Sequence, residues 1–145
     1  MISKRGGVMR FKGKVAAWFW GIIILTNVVF LYELVFSRDN LPALFVGIVG
    51  CNLIFLPLAF RNYVEITEES VKLFFGFFKD TIRISDIKEV YQTHNVLAST
   101  AASMDRIVLK GRNNEMMCAV KDKKNFYREL RYRNPQISFH SKCKM

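Results

Sequence analysis

Apolar positions are almost continuous over the first half of the chain and alternate with polar ones over the second. Residues 15–36 form an apolar run whose one charge, Glu33, lies near its far end, and residues 41–60 form another with no charge at all. A helix rises about 1.5 Å per residue and the hydrocarbon core asks for about 20 residues, so each run is long enough to span a bilayer. Ser37-Arg38-Asp39-Asn40 between them allows only a tight turn. Asn40 is placed to cap the second helix, and Pro42 falls in its first turn, where a missing N–H costs nothing. The pattern predicts a transmembrane helical hairpin, 15–36 and 41–60. A buried pair in a soluble core is the alternative, but the remaining chain is too short to cover two helices apolar on all sides. A cleaved leader is disfavoured as well, because the first run outlasts a signal-peptide core and no small-residue cleavage site follows it.

Within the hairpin, Ala43, Gly47 and Cys51 recur every four residues as a narrow, smooth stripe, the kind of surface through which helices approach in lipid. Folding at residues 38–39 brings Asn27 and Asn52 to similar depth, so their amides are expected to bond across the hairpin. Each could instead bond its own helix backbone or meet another copy of the protein. Pro57 is placed to bend the second helix near its end. No acid or base lies mid-membrane, which removes a transport path from consideration.

Beyond residue 61 the period changes to two. Val64 and Ile66 alternate with Tyr63 and Glu65; Glu68-Glu69-Ser70 makes a turn; Val71, Leu73 and Phe75 follow until Gly76 interrupts them. Residues 81–84 alternate again, 90–94 form a weaker strand, and 106–110 and 115–120 flank the turn formers Gly111-Arg112-Asn113-Asn114. A helix then opens at Asp122, carries Phe126 and Leu130 four apart, and closes at Asn134-Pro135. Five or six short strands and one helix suggest an α+β domain in which a bent antiparallel sheet, or partly open barrel, is capped by the C-terminal helix. The expected organisation is a basic arm at 1–14, the hairpin at 15–60, the domain at 61–134 and a basic tail at 135–145.

Charge adds a direction. The chain is 51% hydrophobic and 14% aromatic, yet its formal net charge is +10. Lys4, Arg5, Arg10, Lys12 and Lys14 precede the first span without an acid, Arg61 follows the second, and the turn between is neutral. By the positive-inside rule both termini face the cytoplasm of a plasma (inner) membrane protein with two spans. Cys118 and Cys143 are then expected as free thiols in a reducing compartment. Residues 61–120 are electrically balanced and the excess returns in 121–145, so basic groups at both ends can meet an anionic leaflet. With such an anchor, membrane lipid is the expected neighbour and nucleic acid is not.

Chemistry-bearing motifs are few. His94, Ser103 and Asp105 are the residue types of a triad, but no strand-turn-helix presents a nucleophile and nothing builds an oxyanion hole, so no catalytic residue is assigned. His94 and His140 lie far apart and the cysteines have no paired spacing, so no metal and no cofactor is expected. Ser99, Ser103, Asp105 and Arg106 are the candidate ligand loop, and the competing reading is that they satisfy loop backbone and ion-pair with neighbours. Phe74, Phe77 and Phe78 make the turn around Gly76 aromatic on both faces. One face can fill the core; the other must meet the membrane interface, a partner or a second copy.

The segments Tyr63-Val64-Glu65-Ile66, Val71-Lys72-Leu73 and 81–87, the small-and-serine stretch 99–104 leading into Asp105-Arg106-Ile107, and Asp122-Lys123-Lys124-Asn125-Phe126 with Leu130 form a recognisable set. Together they resemble the bacterial pleckstrin-homology (PH-like) domains that follow two N-terminal transmembrane helices in small membrane proteins of unknown function. The chain departs from that pattern at Val120-Lys121, where the family often has a proline opening the last helix. The resemblance implies the PH-like fold and little about activity. The reading taken is a non-catalytic binding or scaffold module at the membrane surface, with room for a homo-oligomer. A protein or peptide partner is expected, because an anchored domain does not need headgroup affinity for recruitment. The alternative is an immunity-type protein shielding the cell from a membrane-active peptide or toxin.

Overall fold

The computed structural model describes residues 3–5, 7–37, 40–93 and 105–140. The two apolar runs form α1 (Ala17–Phe36) and α2 (Leu41–Phe60). Asn40 caps α2, its Oδ1 accepting from the Ala43 N–H at 3.4 Å, with Pro42 in the first turn and Pro57 inside the last. The helices meet at Gly47, through an amide pair and, nearer the domain, through the rings of Phe19 and Phe55 at 6.1 Å. Gly47 meets the Phe30 ring so closely that an added Cβ would stand 3.0 Å from it. Asn52 Nδ2 donates to Asn27 Oδ1 at 2.8 Å, and Asn27 Nδ2 donates back to Asn52 Oδ1 at 3.3 Å. Each amide also donates to the carbonyl one turn earlier, Ile23 O and Ile48 O respectively.

At the foot of the hairpin lies the α+β domain. Strands β1 (Ser3–Arg5), β2 (Val8–Lys12), β3 (Asn62–Ile66), β4 (Ser70–Phe75) and β5 (Phe78–Arg83) form one antiparallel sheet in that order. Then β6 (Glu89–Thr93), β7 (Arg106–Lys110) and β8 (Glu115–Cys118) form a second, whose far edge takes the short β9 (Ser138–Phe139) parallel to β6. Residues beyond β8 return to the first sheet, where Lys121 N–H donates to Lys12 O and Lys14 N–H to Ala119 O. The two sheets are not closed into a barrel. α3 (Lys123–Arg133) is capped by Asp122, which accepts from the Asn125 N–H, and it lays Phe126, Tyr127 and Leu130 into the core. That core joins Val64, Ile66, Val71, Leu73 and Ile82 of the first sheet to Val90, Ile107, Leu109 and Met116 of the second.

Within 1–14, expected as a basic arm outside the domain, Ser3–Arg5 and Val8–Lys12 are strands of it instead. Met9, Arg10, Phe11 and Lys12 pair with Ile66, Glu65, Val64 and Tyr63. Phe11 is 2% exposed and meets Phe126 edge to face with centroids 5.4 Å apart. The physical reason is period-two alternation: Met9 and Phe11 turn into the core while Arg10 and Lys12 point out. Likewise β9 draws residues 138–139 of the expected tail into the second sheet.

The hairpin is therefore inserted between two adjacent strands. β2 runs through a short linker into α1, α2 runs directly into β3, and Gly13 N–H donates to Asn62 O at 2.8 Å where the connections pass. Glycine suits that approach, since a Cβ at Gly13 would lie 2.0 Å from Asn62 Oδ1 and force the buried Asn62 side chain to move.

Candidate functional site

Three surfaces bear on function, at the foot of the hairpin, on the β4–β5 turn, and at the end of the first sheet farthest from the helices.

At the foot, Lys14, Asp105, Lys121, Asp122, Lys123 and Lys124 line an open groove of about 650 Å³. Asp105 accepts from Lys14 Nζ at 3.0 Å and also from Lys123 Nζ. Burial opposes ionisation of Asp105, but the hydrogen bonds from Lys123 and Lys14 outweigh it and hold its carboxyl below the usual carboxylate range. The carboxylate thus ties the residue leading into α1 to the first residue of α3. Lys121 and Lys124 remain exposed on the rim. Ser99 and Ser103, the other candidates in this stretch, lie outside the described residues. Arg106 is buried at the start of β7, opposite Thr93, so the loop candidates do not all converge on one exposed point.

The aromatic turn separates its members. Phe75 pairs with Phe78 and Phe74 with Lys79, so Gly76 and Phe77 alone make the bend, and Gly76 takes the left-handed φ of +57° that glycine adopts freely. Phe74 lies on the outer face of the sheet, stacked on Tyr63 at 4.8 Å, with Lys79 Nζ 5.6 Å from its ring. The Arg10 guanidinium sits 4.3 Å from the Tyr63 ring centroid while bonded to Glu65. Phe75 turns the other way, packing with Phe19, Ile23 and Ala59 of the helices. Phe77 and Phe78 are 70% and 69% exposed. Of the remaining basic candidates, Lys4 and Arg5 lie in β1, whereas Lys12 and Arg61 are exposed where the domain meets the hairpin.

The third surface has no counterpart among the motifs of the sequence. Glu68, Glu69, Arg83, Ser85, Arg133 and Gln136 line a polar groove of about 710 Å³. Arg133 is fixed there by Glu129 at 2.8 Å and by Gly7 O at 3.0 Å, and the neighbouring Asn134 Nδ2 donates to Ile84 O. The groove lies at the opposite end of β4 from the aromatic turn, roughly 17 Å away at about 3.3 Å per strand residue. The turn signal Glu68-Glu69 marks one wall in the sequence, but nothing local marks α3 as the other.

Among the described residues no cluster of metal-ligating side chains is present. Cys118 is a free thiol buried in the core, and burial pushes its pKa up to about 12, so it carries no nucleophilic thiolate near neutrality. Cys143 and His94 lie outside the described residues.

The family model of the bacterial PH domain matches residues 62–134, from β3 to the end of α3. No curated protein and no solved structure matches the chain.

Proposed function

The chain belongs to the bacterial PH domain family, and from that premise we propose that it is a membrane-anchored, non-catalytic binding or scaffold module acting at the cytoplasmic face of the inner membrane. PH domains are binding folds, and two helices apolar enough to cross a bilayer associate this one with a membrane. The observation that carries the reading is the insertion of the hairpin between β2 and β3. An anchor entering and leaving through neighbouring strands keeps the whole domain at the membrane, within reach of a partner held there. A weak contact there is strengthened by effective concentration and needs no deep pocket.

The charge distribution supports a cytoplasmic orientation. Lys14, Lys121, Lys123 and Lys124 outnumber Asp105 and Asp122 at the foot of the first span, and an excess basic group near an anionic leaflet contributes about 1 kcal/mol. An already anchored domain has no need of headgroup recognition for recruitment. That favours a protein or peptide partner, and the polar groove with Arg83 and Arg133, facing away from the hairpin, is the surface best placed to receive it. Ser99 and Ser103 belong to the same proposal as further contact residues, in the sequence leading into Asp105.

The test is photocrosslinking from position 83 in native membranes, with a probe at position 124 as comparison. Recurrent capture of one protein at 83, with lipid at 124, is the expected result. A peptide toxin caught at 83 would move the protein to the protective class. Full-length chain found soluble and monomeric without detergent would overturn the reading.

A further inference from the structure

The exposed pair Phe77 and Phe78 lies at the level where α2 leaves the membrane. Gly76 N–H donates to Arg61 O at 2.8 Å, and Arg61 N–H donates to Pro57 O at 2.8 Å, so the turn is hydrogen-bonded to the residue that ends the span. Its backbone rests on Leu58 so closely that a Cβ at Gly76 would stand 2.5 Å from Leu58 Cδ2. Phe75 is already part of the cluster that includes Phe19, Phe55, Leu58 and Ala59. Phe78 pairs with Phe75 and thus shares the sheet face that turns to the helices. Phe60, the last residue of α2, is 72% exposed and touches Trp20 edge to face at 5.6 Å.

We propose that Phe77 and Phe78 insert into the bilayer interface at the level of Phe60, giving the domain a third membrane contact that fixes its tilt over the leaflet. The inference rests on the hairpin spanning the membrane. Its occupant is lipid because the apolar surface of the turn is continuous with the lipid-facing end of α2 and held at the same height. Aromatic side chains concentrate at that depth in membrane proteins. Arg61 and Lys79, one on each side of the turn in sequence, can keep their charges in water while their stems lie along apolar surface. The two chain connections pass side by side at Gly13 and Asn62, and the turn adds a lipid contact beyond them.

The experiment uses the full chain in lipid nanodiscs with Trp18→Phe and Trp20→Phe, adding one tryptophan at a time. Phe77→Trp is the probe, Leu53→Trp the control inside the span, and Tyr132→Trp, at a residue 83% exposed on α3, the control in water. Lipids brominated near the headgroup end of the acyl chain are expected to quench the Phe77→Trp probe strongly and leave the Tyr132→Trp control bright. Emission from the probe at position 77 is expected to be blue-shifted relative to the control at position 132. A probe at 77 as unquenched as the water control, while the control at 53 is quenched, would overturn the inference and leave the spanning hairpin standing. A probe at 77 shielded from both brominated lipid and aqueous iodide would overturn it in favour of a protein contact. An unquenched indole at position 53 would overturn the hairpin reading and this inference together.

Discussion

The hairpin and the domain dispose of the same kinds of side chain in opposite ways. Leu25, Val29, Phe45 and Val46 stand outward on α1 and α2, more than half exposed, whereas Val64, Ile66, Val71 and Ile107 are fully enclosed in the domain. The difference lies in the solvent each part is built for. A helix satisfies its own backbone, so in hydrocarbon it needs no apolar neighbour to hide against. Lipid is as apolar as leucine, so α1 and α2 are held by close packing, at Gly47 against Phe30 and Phe19 against Phe55, and by the Asn27–Asn52 amide pair. A sheet surrounded by water must bury its apolar face, and here the burial recruits Phe11 from a segment on the far side of the hairpin in sequence.

The sharpest way to break that comparison is to make one chemical change in both settings. Phe11→Ala removes a ring packed on Phe126 in a dry core and is expected to cost the domain about 3–5 kcal/mol. Phe45→Ala on the outward face of α2 is expected to stay within about 0.5 kcal/mol, because the ring meets lipid in the folded hairpin and in the separated helices alike. Hydrogen exchange on full chain in detergent checks them, the β3 and β4 amides reading the first and the α2 amides the second. Equal effects would mean that β2 is not part of the core.

Why β2 escapes a reading of the sequence is plain in its residues. Lys4, Arg5, Arg10, Lys12 and Lys14 dominate the segment, and charge before an apolar span has a sufficient explanation in membrane topology. The competing signal, Met9 and Phe11 in with Arg10 and Lys12 out, covers only two periods. The two long helices are legible almost to the residue, since apolar runs of that length, separated by one polar turn, leave few alternatives. So are β3, β4 and α3, where alternation, the Asp122 cap and the Phe126–Leu130 spacing agree. The polar groove is not legible, because Glu68, Arg83 and Arg133 meet only through tertiary packing. Nor is β9, whose two residues are too few to carry a period.

A smaller effect sharpens the hairpin side. Replacing Asn27 or Asn52 by Leu is expected to weaken helix association by about 0.6–2 kcal/mol. The loss stays modest because each amide keeps its bond to Ile23 O or Ile48 O when its partner is gone. In a double-mutant cycle the second substitution should cost clearly less than the first, since the shared bonds are already lost. Additive costs would place each asparagine's contribution in its own helix and leave the cross-hairpin bond without weight.

The smallest expected effect belongs to the junction between the two regions. Asp105 accepts from Lys14, which leads into α1, and from Lys123, which opens α3, so its charge couples the hairpin's foot to the domain. Because these bonds hold its carboxyl below the ordinary range, the folded state binds its proton less readily than the unfolded chain. The stabilisation is thus complete above the ordinary carboxylate value of about 3.9 and is lost as pH falls through the lower folded value. Lys14 is 44% exposed at its side chain, and screening keeps the contribution to about 1 kcal/mol or less. Asp105→Asn should lower domain stability by that amount near pH 7 and by progressively less in acid, and moderate salt should narrow the gap as well. Denaturant titrations of both proteins across that pH range provide the check. A difference that persists undiminished in acid would assign Asp105 a packing role and remove the charge from the link between membrane and sheet.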